Sequence, residues 1–142
     1  MKYLLLLLFP FLSFAQQESF QLCNPFWQPQ YFYSFHIKYP LSSENLTEQA
    51  NKMLVSHPEE IDGFITIRFT VNCKGQTSLY KTYQIDNKYQ QTTFDQNYVE
   101  TLLNFVKTLK NWPIARHEDK TFDYYTYFTF KIEHGIITEI IP

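Results

Sequence analysis

Three glycines and two cysteines in 142 residues set the first limits on this chain. So few glycines leave no phosphate-cradling loop, and neither Gly-x-Ser-x-Gly nor His-Glu-x-x-His occurs. The four histidines, His36, His57, His117 and His134, are scattered without the spacing of metal ligands. His117-Glu118-Asp119 reads as a solvated loop, and nothing sets a nucleophile beside a positioned base. The chain is therefore read as a non-enzyme with no cofactor and no metal. Charge is also sparse, at 18% of residues with a net of −2. No basic stripe stands out, which excludes the electrostatic footprint of a nucleic-acid binder. No apolar run reaches the roughly 20 residues that a spanning helix needs.

What the chain has instead is an export signal and many rings. Lys2 supplies a positive start, Tyr3 to Leu12 is an apolar run of ten positions broken only by Pro10, and Ser13-Phe14-Ala15 puts small residues where a signal peptidase reads. Residues 1–15 are thus expected to be a cleaved signal, with the mature protein in the periplasm or secreted. Cleavage before Gln16 leaves 127 residues, enough for one domain, with 11 basic against 14 acidic side chains and a net of −3. Aromatics make up 19% of the chain, which suits a folded module that also shows rings on its surface. Cys23 and Cys73 are the only cysteine pair, in a compartment that permits a bridge. Closing that loop is worth about 4 kcal/mol in the chain-entropy model. Two readings compete with a bridge: buried free thiols, and lipidation at Cys23. Against lipidation, Phe20-Gln21-Leu22 lacks small residues beside the cysteine.

Residues 16–40 read as an irregular leader, with Pro25, Pro29 and Pro40 between Phe26, Trp27, Tyr31, Phe32, Tyr33 and Phe35. A Cys23–Cys73 bridge would strap it down and let those rings pack on the domain. Residues 41–142 form the domain. Ser42 to Val55 is predicted helical, capped by Ser42 or Ser43, with Leu46, Ala50, Met53 and Leu54 on one stripe. Gly63 to Cys73 alternates with period two, Lys74-Gly75 turns, and Gln76 to Ile85 returns with Leu79, Tyr83 and Ile85 on one face. Thr93-Phe94-Asp95-Gln96 has capping-box spacing ahead of a second helix to about Lys110, with Val99, Leu102, Leu103, Val106 and Leu109 inward. Phe122 to Ile132 is the longest predicted strand, with Asp123, Tyr125, Tyr127, Thr129 and Lys131 on its outer side. Ile136 to Ile141 is a short β-prone tail. Asn45-Leu46-Thr47 has the N-glycosylation spacing. The expected class is α+β, with two helices on one face of a three-stranded antiparallel sheet.

Five segments, in order, resemble the C-terminal domain of the bacterial energy transducer TonB. They are His36-Ile37-Lys38-Tyr39-Pro40, then Gly63 to Val71 with Lys74-Gly75, then Asn111-Trp112-Pro113-Ile114-Ala115, then Phe128 to Ile132, and finally Gly135 with Thr138, Glu139 and Ile140. The resemblance spans His36 to the end, 107 residues. It departs from the transducer in having a cleavable signal and a leader of only about 25 residues, too short to cross the periplasm even when extended. The loop His117-Glu118-Asp119-Lys120 lacks the glycine usual in that family. The bridge, the rings and the Gln after the cleavage site look like the stand-alone exported members from Bacteroidetes-type bacteria.

The resemblance implies a non-enzymatic module that binds a protein partner by adding a strand to a sheet edge, such as an outer-membrane receptor or another envelope protein. The edge expected to serve is Tyr124 to Lys131. Its contact residues would be Tyr124, Tyr125, Thr126, Tyr127 and Thr129, with Tyr39 and Pro40 flanking. Two other readings use the same fold: a self-associating envelope protein that pairs this edge with its own copy as a homodimer, and an energy transducer whose signal stays attached as an anchor.

Overall fold

A computed structural model of the chain describes residues 19–26, 30–31, 36–56, 58 and 60–142. The expected export signal lies outside these residues, as do His57 and four of the leader's rings, Trp27, Phe32, Tyr33 and Phe35.

Helix α1 spans Ser43–Met53, with Ser42 in extended backbone as its cap. The Ser42 hydroxyl accepts from the Asn45 amide at 3.3 Å, and Glu44 sits at the positive end of the dipole. Leu46, Ala50 and Leu54 are buried, but Met53, expected on the same stripe, is 38% exposed at the last helical position. Within the helix the buried stripe ends at Ala50, and Leu54, the C-cap residue, is buried instead. The glycosylation spacing falls on this helix. There Leu46 is core, the Thr47 hydroxyl is buried without a partner, and the Asn45 side chain donates to Ser42.

Strands β2 (Gly63–Val71) and β3 (Thr77–Asp86) form the expected hairpin. Asn72 builds its turn: Oδ1 accepts from the amides of Lys74 and Gln76, and its amide group donates to Gln21 and Gln76. Gly75 turns the chain at φ 74°, a region closed to most side chains. Helix α2 spans Gln96–Thr108 and is capped by Asp95, not by Thr93 as the capping-box spacing suggested. The reason is local. Gln84 ties Thr92 and Phe94 to β3 through their amides, so the helix can start only at Asp95, whose carboxylate accepts from Tyr98 N–H at 3.0 Å. Tyr98 and Phe105 join Val99, Leu102 and Val106 in the core, while Leu103 is only partly buried.

After α2 come the ribbon strands β4 (Ala115–His117) and β5 (Lys120–Phe122), paired with each other. Strand β6 (Tyr124–Glu133) and strand β7 (Ile136–Ile141) follow. Phe122 therefore belongs to the ribbon rather than to the long strand, and Asp123 stands between them. One more short strand, β1 (Gln30–Tyr31), comes from the leader.

Among the described residues the main sheet has five strands, not three. β2 lies between β3 and β6, both antiparallel to it. β6 carries two further partners: β1 runs parallel at Tyr124 and Tyr125, and β7 runs antiparallel from Thr129 to Glu133. The β-prone tail Ile136 to Ile141, left outside the count of three, is β7, and β1 went unread because two residues carry no period-two pattern.

One face of this sheet is covered by the helices. Ile65, Ile67, Phe69 and Val71 from β2, Phe128, Phe130 and Ile132 from β6, and Ile137 and Ile140 from β7 meet the apolar faces of α1 and α2. Each such side chain contributes roughly 1.5–3 kcal/mol by leaving water. Leu79 and Tyr83, grouped in the sequence as one apolar face of β3, are 56% and 49% exposed. Tyr83 pairs with Thr66 on the outer face of the sheet, and Leu79 sits on that same face at a bulge. Register slips between Arg68 and Thr70, Leu79 takes φ 56°, and Tyr80 turns inward to stack on Phe69 at 5.5 Å.

Candidate functional site

The clearest concavity is a half-open, mostly apolar cleft of about 470 Å³ beside the N-terminal end of α1. One wall is the segment Ile37 to Ser43. The lining also includes Tyr124, Thr126 and Phe128 of β6, together with Trp112, Ile140 and Pro142. A cluster of rings fixes this shape. Tyr39 lies 4.3 Å from Trp112 and meets Phe128 edge-on at 5.9 Å, and Trp112 meets Phe69 edge-on at 4.8 Å. Polar tips are anchored to backbone. Tyr39 donates to the Lys110 carbonyl at 2.9 Å, Tyr124 donates to the Pro113 carbonyl at 2.8 Å, and Trp112 donates to the Leu109 carbonyl at 3.2 Å. Burial pushes the hydroxyl pKa of both Tyr39 and Tyr124 up, so both stay neutral donors.

The cleft sits where the outer edge of β6 changes partner. β1 ends at the level of Tyr125, and β7 begins at the level of Thr129. Of the expected contact residues, Tyr39, Pro40, Tyr124 and Thr126 line this cleft together. The other three are on the opposite, outer face of β6. There the Arg68 guanidinium lies 4.9 Å from the Tyr125 ring centre, Thr129 and Thr66 share a hydroxyl hydrogen bond at 2.9 Å, and Tyr127 pairs across to Arg68. The expected set is thus divided between two faces of one strand, and β6 is bordered at both ends of its outer edge rather than left open along Tyr124 to Lys131. The outer edge of β7 is also covered. The Asn51 side chain donates to the carbonyl of Ile137 and accepts from its amide, and Ser43 donates to the Ile140 carbonyl.

A second construction holds the leader. Cys23 and Cys73 form a disulfide with Cα atoms 6.0 Å apart, within the expected reach of about 7 Å. Asp123, placed on the solvent side by alternation, is instead buried beside the bridge. Its carboxylate accepts from the amides of Cys23 at 2.9 Å, Asn24 at 3.1 Å and Cys73 at 3.1 Å. Cys23, Cys73 and Asp123 are the only cluster among the described residues with metal-ligand proximity. Both sulfurs are committed to the bridge and the carboxylate to amides, so the cluster is a structural tie. No sequence signal pointed to Asp123; period two across Phe122 to Ile132 assigned it outward. The strapped leader is corrected in one respect: Phe26, expected to pack, is 95% exposed. It lies just past the tie, at a turn over Pro25 and Phe26 that faces water.

The remaining histidines form no cluster. His36 and His134 occupy positive-φ turns, His117 is exposed at the end of β4, and His134 Nδ1 lies 3.9 Å from an Asp62 oxygen. No family model, curated protein or solved structure matches this chain.

Proposed function

We propose that this protein is an exported, non-enzymatic binding module of the cell envelope, of the kind its resemblance to the TonB C-terminal domain implies. It takes an extended segment of a partner protein along the outer edge of β6, with apolar side chains seated in the cleft. The observation that carries this reading is the cleft itself: an apolar depression of about 470 Å³, walled by rings, at the level where β1 stops and β7 starts. An added strand brings side chains to one face at every second position, so a strand on this edge would present alternate residues to the cleft. An outer-membrane receptor segment or another envelope protein would supply such a strand.

Selection of eight-residue peptides from a displayed library, followed by NMR titration on the full mature chain, tests the reading. The expected result is a consensus with apolar residues at alternate positions and shifts at Ile37–Ser43, Thr126, Phe128 and Ile140. Peptides that move only Thr77 to Tyr83 would transfer the site to β3. Self-association is the second reading, favoured by the exposed Leu79 and Tyr83 beside the outer edge of β3. A monomeric mass at tens of micromolar would remove it. A mature mass that starts at Met1, with inner-membrane fractionation, would revive an anchored transducer.

A further inference from the structure

The leader returns to the same strand that walls the cleft. Cys23 is bonded to Cys73, and Asp123, the residue immediately before β6, holds the amides of Cys23 and Asn24. Further along the leader, Gln30 and Tyr31 pair in parallel with Tyr124 and Tyr125. β2 occupies the other edge of β6 from Tyr124 to Ile132, so β1 lies on the edge at which the cleft opens. A parallel pairing of two residues has little hold of its own. The tie at Cys23 strengthens it, because it shortens the tether to the six residues between Cys23 and Gln30 and so raises the effective concentration of β1 beside β6.

We infer that β1 is a displaceable strand supplied in cis, which competes with a partner segment for the outer edge of β6, and that the Cys23–Cys73 bridge sets the strength of this competition. The inference rests on the reading of the cleft given above and adds its regulation. A partner strand that runs past the cleft toward Tyr124 must lift Gln30 and Tyr31. With the bridge closed, β1 re-forms whenever the partner leaves. With the bridge open, the leader ahead of β1 is held by hydrogen bonds to Asp123 and Asn72, the anchor at Tyr39 lies eight residues beyond β1, and the edge is vacated more often. A dithiol reductant opens the bridge: its thiolate attacks one sulfur, two electrons pass to the bridge, and its two protons complete the Cys23 and Cys73 thiols while the reductant becomes a disulfide. Cys23 is exposed, which gives such a reagent access.

The test uses the full mature chain in three forms: oxidised; reduced with a trialkylphosphine and capped at both thiols; and oxidised with Gln30→Pro and Tyr31→Pro, which removes two backbone donors from β1. The probe is a labelled synthetic peptide with the sequence of residues 28–35. It should bind the reduced and proline forms at least about tenfold more tightly than the oxidised form, with shifts at Tyr124 and Tyr125. Equal affinity for all three forms, or binding to none, overturns the inference. Unchanged cross-strand contacts between β2 and β3 certify the fold, and if the proline form does not fold, the reduced and capped form decides. The library-selected peptides separate the two readings. If they bind the cleft equally well in every form, the cleft stands and the competition fails. If the leader peptide binds at Tyr124 and Tyr125 while the selected peptides leave the cleft unmoved, the cis strand stands and the cleft reading fails.

Discussion

The main sheet ends in two different ways. On the β3 side the strand from Thr77 to Tyr83 has no further strand beside it among the described residues, and it is blunted rather than covered: a bulge sets Leu79 at φ 56°, and Lys81 projects to solvent. These are the devices that discourage uncontrolled pairing of an edge. On the β6 side the edge is covered in pieces. β1 takes Tyr124 and Tyr125, β7 takes Thr129 to Glu133, and α1 in turn clamps β7 through Asn51. One edge is made unattractive by its own residues. The other is occupied by distant parts of the chain and keeps an apolar cleft at the join. That difference is why the binding reading belongs on β6.

The largest effect that can break the comparison comes from the tie on the β6 side. Cys23→Ser with Cys73→Ser should lower unfolding stability by about 4 kcal/mol, and hydrogen exchange should rise first at Ser19–Asn24 and Gln30–Tyr31 while β2 stays protected. If the leader exchanges freely in the oxidised protein, or β2 loosens along with it, the two sides are not independent. Next in size is Asp123→Ala, which leaves three amides near the bridge without their acceptor. A loss of about 3 kcal/mol is expected, with Asp123→Asn recovering part of it, both read by denaturant titration. A loss under about 0.5 kcal/mol would mean water replaces the carboxylate without penalty. The smallest effect tests the β3 side. Leu79→Gly relieves a left-handed backbone and should stabilise by about 0.5 kcal/mol. A clear destabilisation would show that the exposed Leu79 side chain has a packing role.

Much of the fold was legible because its long elements are periodic. The stripe Leu46-Ala50-Leu54, the alternation from Gly63 to Val71 and that from Tyr124 to Ile132 each carry enough turns or pairs to declare their type. The cysteines were legible because only one pairing exists. The cap of α2 was misplaced because Gln84, nine residues before Thr93, holds Thr92 and Phe94 on β3. The candidate site was half legible: Tyr39, Pro40, Tyr124 and Thr126 converge, while Tyr125, Tyr127 and Thr129 occupy the other face of the sheet.

By itself the sequence determined the α+β class, the two amphipathic helices and the central hairpin, since each depends on near neighbours, and it left each cysteine a single partner; the structure closed that bridge. Only the tertiary structure decided the number of strands, the parallel return of β1 and the place of Asp123. A two-residue strand has no periodicity to read. A carboxylate on an alternating strand looks like a solvent residue until the amides of Cys23, Asn24 and Cys73, brought from 50 to 100 positions away, converge on it.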